Sequence, residues 1–318
     1  METGRIFDVT ALGELLIDFT SLGRGESGMR IFEQNPGGAP ANVACAASRL
    51  GLKAAFLGKI GADMHGAFLR SVLTENGVDV AGLVTDPEAF TTLAFVDLHD
   101  GERSFSFARK PGADTRLDIR DLRLDVIRNS RVFHIGSLSL TDQPARSATL
   151  YALEQARAAR CIISYDPNYR ALLWRDREQA GQRMRSVLPF MDLIKISREE
   201  TALLTGVDDP ETAVEELVQS GIPVAVVTLG AGGAWVGTKE GTAVIPAKKV
   251  PVADTTGAGD AFWGGFLAQL VKAGIHPGEL SLERAAAFTG FANRVAGFCV
   301  GRRGGINGMP DMEDLALP

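Results

Sequence analysis

Two carboxylates and two glycines lie close together in Asp254-Thr-Thr-Gly257-Ala258-Gly259-Asp260, the stretch of this sequence best equipped for chemistry. The preceding Lys249-Val-Pro-Val252 reads as extended. The following Phe262, Phe266 and Leu270 recur at helical spacing, so the stretch is a tight turn opening a helix. The first amides of a helix have no internal partner and sit at the positive end of its dipole, where they attract an anion. Gly257 and Gly259 let a ligand approach that backbone closely. Asp260 would repel a bound phosphate unless it takes a proton from the group attacking that phosphate. An anion cradle beside a base is what phosphoryl transfer to an alcohol requires. On these residues alone, a plain helix cap with Asp260 compensating the dipole is the alternative.

The elements that must position this turn follow from the hydrophobic pattern. Apolar runs over 7–12, 53–60, 132–135, 161–165, 193–196 and 224–229 read as strands. Helical patterns lie between them, to Leu50, from Asp63 to about Asn76, over 144–160 and over 211–220, with a last one over 283–296. Strands alternating with helices predict an α/β fold with a doubly wound, mostly parallel sheet flanked by helices. Residues 234–236 and 242–245 suggest a hairpin. Two excursions, about 14–35 and 91–110, break the alternation. Both are strand-like, and the second carries a hairpin signal at Asp100-Gly101. We place them together as a small sheet beside the main one, within a single domain spanning 1–318.

Composition narrows the classes. A chain of 318 residues with 45% hydrophobic residues has ample core. A net charge of −6 gives no reason to expect nucleic acid or an anionic membrane as partner. Three widely spaced cysteines, Cys45, Cys161 and Cys299, argue against a disulfide framework and for a reducing compartment. No apolar run reaches spanning length, and the first residues lack a signal peptide's apolar core, so a cytoplasmic protein is expected. The P-loop pattern is absent, and no dinucleotide fingerprint occurs in the first strand–helix unit.

The string Asp254 to Asp260 resembles the C-terminal D-T-x-G-A-G-D signature of the ribokinase-like (phosphofructokinase B) carbohydrate kinases. Gly37-Gly38-Ala-Pro-Ala-Asn42, with Gly51 and Gly61 downstream, resembles their N-terminal signature. The resemblance covers nearly the whole chain and implies that the small sheet is a lid. By it, Asp260 is the catalytic base, and Gly257, Ala258 and Gly259 supply the anion hole. Asp18, Gly37, Gly38 and Asn42 hold the sugar. Asp100 to Asp114 is similar to the lid of fructokinases and aminoimidazole riboside kinases, with Phe107 an apolar wall and Arg109 a donor. Asp166-Pro-Asn168-Tyr-Arg170 is similar to fructokinase strings in which the arginine meets sugar or phosphate.

Ser197-Arg-Glu-Glu200 fits a capping box by spacing. By resemblance it also helps hold magnesium through water, from Glu200, and the nucleotide, from Ser197. Thr228-Leu-Gly230-Ala-Gly-Gly233 resembles the nucleotide loop, shared with Gly259. Asp254, Thr256, Cys299, Gly304 and Gly308 correspond to a monovalent-cation site, usually potassium, formed mainly by carbonyls. Here Arg303-Gly304-Gly305 replaces the family's usual Lys-Gly-Ala.

The expected activity is therefore ATP- and magnesium-dependent phosphorylation of a sugar, foremost D-fructose to its 6-phosphate. Leu16 stands where the ribose-specific branch carries Asn, which weakens ribose as substrate. Rival readings keep the chemistry with 2-keto-3-deoxygluconate, a nucleoside or aminoimidazole riboside. Others make the chain a non-catalytic sugar-binding protein or a nicotinamide dehydrogenase. Relatives often dimerise through the lid sheet, whose edges invite pairing.

Overall fold

The protein's structure, a computed structural model, describes residues 4–99 and 102–316. In chain order the first half holds β1 (Phe7–Leu12), β2 (Leu16–Arg24), β3 (Arg30–Gly37), α1 (Ala39–Arg49), β4 (Ala54–Gly61), α2 (Met64–Glu75), β5 (Asp79–Asp86), β6 (Leu93–His99), β7 (Glu102–Ala108), α3 (Leu124–Arg128), β8 (Ser130–Ile135), α4 (Ala145–Ala158) and β9 (Ile162–Tyr165). The second half holds α5 (Arg177–Ser186), β10 (Leu193–Ser197), α6 (Thr201–Thr205), α7 (Pro210–Gln219), β11 (Val224–Thr228), β12 (Ala234–Thr238), β13 (Gly241–Ile245), α8 (Ala258–Ala273), α9 (Leu282–Val300) and α10 (Gly305–Gly308).

Strands without polar alternation can only be satisfied if both faces are covered. They form one sheet in the order β13-β12-β11-β10-β9-β8-β1-β4-β5, parallel from β11 to β5, with β12 and β13 antiparallel at one edge. Leu153 of α4, Met184 of α5 and Leu217 of α7 pack on one face. Residues of α1, α2, α8 and α9, such as Val43, Leu69, Phe266 and Val295, cover the other. This is the expected doubly wound α/β class. The sequence reading omitted β5, an edge strand whose burial follows no clean alternation. The last helix also runs beyond the expected boundary, to Val300.

The two excursions pair as a separate sheet, β3-β2-β6-β7. Phe95 anchors it, stacking on Phe19 at 5.3 Å and meeting Phe32 edge-on at 5.9 Å. Strands β6 and β7 are antiparallel neighbours, as the hairpin signal implied, but its Asp100-Gly101 turn lies outside the described residues.

The helix beginning at the glycine turn is fixed from two sides. Trp263 is fully buried, stacks on Phe266 at 5.1 Å, and donates its Nε1–H to Ser164 Oγ on β9 at 2.8 Å. Gly264 lies against α1, where an added Cβ would stand 2.5 Å from the Ala46 Cβ. Small residues in both helices thus set their spacing. Gly264→Ala is expected to destabilise the protein by about 1–3 kcal/mol through overpacking, outweighing the roughly 0.5–1 kcal/mol that Ala brings to a helix interior. Urea unfolding measures the loss, and a variant as stable as the parent would contradict this packing.

Candidate active site

A cavity of about 680 Å³ opens between the carboxyl ends of the central strands and the small sheet. This is where open α/β sheets gather ligands. Its floor is the start of α8. Gly257 caps the helix in the left-handed region, at φ 76°, and itself offers no side chain to the first amides. An added Cβ there would come within 2.8 Å of Gly305 Cα.

Asp260, in the first turn, is 5% exposed. Asn42 Nδ2, from α1, donates to its Oδ2 at 2.7 Å, and Asn168 Nδ2 donates to its Oδ1 at 3.0 Å. Asn168 adopts a left-handed backbone, φ 48°, which Asn tolerates better than most residues. Burial raises the Asp260 pKa, while the Lys195 ammonium and the Asn42 amide oppose that rise. Lys195, on β10, donates from Nζ to Asp166 Oδ2 at 2.8 Å, and both side chains are buried. Burial raises the Asp166 pKa, and the Lys195 ammonium opposes that rise. An added Cβ on Gly259 would stand 2.9 Å from Lys195 Nζ, so this glycine makes room for the ammonium.

The opposite wall comes from the small sheet. Asp18 on β2 lies beside Gly37 on β3, where an added Cβ would collide with Asp18 Oδ2 at 2.3 Å. Burial pushes Asp18 up to about 6, with Arg170 pulling the other way. Gly38, at φ 111°, turns the chain into α1. Leu16, Phe107, Leu138 and Arg170 complete this side of the cavity. Glu14, which also lines it, accepts the Ala39 amide at 2.9 Å, and burial raises its pKa to about 7.

The residues expected around a monovalent cation do come together. Asp254 Oδ1 accepts from the Thr256 amide and hydroxyl at 3.0 and 2.8 Å, and its Oδ2 accepts from the Gly304 amide at 3.1 Å. Cys299 Sγ donates to the Thr256 carbonyl at 3.8 Å, and an added Cβ on Gly308 would stand 3.1 Å from the Cys299 carbonyl oxygen. Glu200 accepts the Ser197 and Tyr169 amides at 2.7 and 2.6 Å, so the capping-box reading of that string holds. Among the described residues, no group of three His, Cys, Asp or Glu side chains is arranged to hold a metal ion.

Gly37, Ala258, Cys299 and Gly308 adjoin the cavity residues in sequence or by contact without lining it, and Arg109, Thr228, Gly230 and Gly233 stand apart from it. Arg109 does not face it, contrary to the reading of this residue as a sugar donor. Its Nε donates to Asp114 Oδ2 at 2.8 Å, and its terminal nitrogens donate to Thr141 Oγ1 and the Leu138 carbonyl, each at 2.9 Å. The arginine thus braces the segment after β7 against the segment after β8. Thr228, Gly230 and Gly233 are also absent from the lining. Thr228 lies opposite Ser197 in the β10–β11 register, so this loop continues the row of strand ends beyond the cavity. Gly233 has an internal reason to be glycine: at φ 97°, an added Cβ would meet the Ile245 carbonyl oxygen at 2.1 Å.

Asn168, Lys195 and Glu14 were not singled out from the sequence. For Lys195 the signal was a lone charge in an apolar strand, Leu193-Ile-Lys-Ile196. For Asn168 it was membership of the string ending in Arg170. Removing one partner of a buried ion pair strands the other, which costs about 3–5 kcal/mol. Arg109→Met should therefore lower unfolding free energy by that amount in urea titration, and Asp114→Leu in the same chain should restore part of it. A stable single variant with weakened substrate binding would instead place Arg109 in the site.

The chain matches the pfkB family carbohydrate kinase model over residues 7–312. It is 42% identical to Fructokinase-1 of Oryza sativa subsp. japonica, over 99% of this chain and 98% of that one. It is also 42% identical to Fructokinase-1 of Zea mays, over 96% of each. Among solved structures, it is similar to fructokinase with bound ATP from Xylella fastidiosa, with TM-score 0.89 and 34% identity over 97% of each chain. A Vibrio cholerae fructokinase double mutant, bound to fructose, ADP and potassium, aligns with TM-score 0.87 and 33% identity over 99% of each chain. Aminoimidazole riboside kinase from Salmonella enterica, complexed with aminoimidazole riboside and an ATP analogue, gives TM-score 0.83 and 30% identity over 97% of this chain and 98% of that one. The chain belongs to the pfkB family of carbohydrate kinases, phosphotransferases that act on a sugar hydroxyl.

Proposed function

We propose that this protein is a fructokinase that transfers the γ-phosphoryl group of ATP to D-fructose, giving D-fructose 6-phosphate and ADP. The observation that carries the reading is the buried Asp260 carboxylate, held by two side-chain amides at the open start of α8. Similarity to fructokinases at 42% identity favours fructose among sugars. The cavity volume of about 680 Å³ lies within the usual range for small-molecule sites, about 300–1,000 Å³.

Asp18, Gly38, Asn42 and Arg170 orient the sugar against the small sheet, with Leu16 and Phe107 as apolar walls. Asp260 accepts the hydroxyl proton as that oxygen attacks phosphorus. Asn42 and Asn168 hold the carboxylate in place while it does so. Amides of Gly257, Ala258 and Gly259 face the charge that develops on the transferring group, in a setting already oriented before the reaction. The nucleotide extends from this turn past Ser197 towards Thr228, Gly230 and Gly233.

Magnesium bound with the nucleotide would neutralise phosphate charge, and Glu200, pinned by two amides at the cavity edge, would hold it through water. The cluster of Asp254, Thr256, Cys299, Gly304 and Gly308 suits a potassium ion, because the Cys299 carbonyl oxygen lies against Gly308 without a Cβ between and the Thr256 carbonyl lies beside Cys299 Sγ. The exposed Met29 and Ile31 flank and lie on edge strand β3, which supports pairing with a second copy through the small sheet.

Loss of a general base costs about 10²–10⁴ in rate. Asp260→Asn should fold normally and lose at least that much turnover, measured as ADP release with fructose. Near-parental turnover would remove Asp260 from the mechanism. Only the ionised base works, and burial raises the Asp260 pKa. The kcat/KM for fructose should therefore fall on the acid side at a higher pH than an ordinary carboxylate would give. A profile flat down to the normal Asp range would contradict this. The same ADP assay across fructose, aminoimidazole riboside and 2-keto-3-deoxygluconate decides the acceptor, and preference for either of the latter two would overturn the fructose assignment.

A further inference from the structure

We propose that Lys195, clamped by Asp166, is a positioning residue that keeps Asp260 in its proton-accepting form. The inference rests on the reading of Asp260 as the base. Lys195 is a charged residue in the otherwise apolar β10, and it is only 4% exposed. In the β9–β10 register Leu193 pairs with Ser164 and Ile194 with Tyr165, which brings Lys195 beside Asp166 just past the end of β9. Its Nζ is 2.8 Å from Asp166 Oδ2. On the other side it lies against the first turn of α8, 2.9 Å from where a Gly259 Cβ would be. The ammonium is thus wedged between the carboxylate that holds it and the backbone next to Asp260.

A buried ion pair is often replaceable by apolar residues at no cost to stability, so stability alone does not explain this one. The charges around it do. Asp166, Glu200 and Asp260 are all buried carboxylates that act on Lys195. The other groups facing Asp260 are Asn42 from α1, Asn168 and the exposed Arg170 from the loop after β9, and Asp18 from β2. Asp254 and Cys299 lie on the side of the cation cluster. Of the two cations in this set, Lys195 is the buried one. Carboxylates crowded together in low dielectric drive one of their number to take up a proton. A fixed ammonium between them opposes that, and after burial it is the largest influence on Asp260.

The pair makes opposite demands on the two partners, which a structural brace would not. Lys195→Met removes the positive charge, so Asp260 should hold its proton to higher pH. The acid limb of kcat/KM should then move up by roughly one to three pH units, the usual effect of a close charge. Asp166→Asn keeps an acceptor for Lys195 but removes a negative charge, so the limb should move down. The experiment is the pH profile of kcat/KM for the parent, Lys195→Met, Asp166→Asn and Asp260→Asn. Limbs that stay in place, or move in the same direction, overturn the proposal. If Lys195→Met does not fold, Asp166→Asn decides alone: a lowered limb supports the proposal and an unmoved or raised one overturns it. Asp260→Asn separates the two levels. Near-parental turnover there sinks the base reading itself, whereas an inactive Asp260→Asn with unmoved limbs in the other variants sinks only the role of Lys195.

Discussion

A carboxylate buried at the start of a helix must be held in one place and kept charged, and most of the site's architecture answers to that demand. Asp260 receives amides from two segments far away in sequence, Asn42 at a separation of 218 residues and Asn168 at 92. Both bonds exist only if α1, α8 and the loop after β9 meet at one point. The close α1–α8 packing at Gly264 and the Trp263–Ser164 bond bring them there. Desolvation of a carboxylate is expensive, and each donor recovers part of that cost.

Glycines serve this site chiefly by absence. Gly37 leaves space for Asp18 Oδ2, Gly259 for the Lys195 ammonium, and Gly257 for Gly305. Each lets a functional group or main-chain segment lie where a Cβ would be. Gly38, Gly257 and Gly304 also take the positive-φ backbone that glycine permits. Asp254 ties the loop before α8 to the turn before α10, which joins the proposed cation site to the glycine turn.

Much of this was legible in the sequence because local chemistry decided it. The glycine turn, its helix, the main parallel strands and the two strand-like excursions all carry short-range signals. Asp18, Gly38, Asn42, Arg170 and Asp260 were marked by strings that lie at strand ends, and the structure brings them to one cavity. What escaped depended on long-range partners. Strand β5 has no clean period, being an edge strand with mixed burial. Arg109 reads like a substrate donor until Asp114, Thr141 and Leu138 are seen to take its donors. Lys195 sits in a strand where only its neighbours across the sheet and helix give the charge a purpose.

The central claim is that one buried carboxylate receives the proton of the acceptor alcohol while the helix start holds the transferring group. The most direct measurement is a crystal structure with fructose, ADP and an aluminium fluoride in place of the transferring phosphoryl. The account expects a fructose hydroxyl oxygen at about 2.6–3.2 Å from an Asp260 oxygen, with the fluoride against the amides of Gly257 to Gly259. A complex in which Asp260 touches only Asn42 and Asn168, with the attacking hydroxyl bound elsewhere, would contradict it.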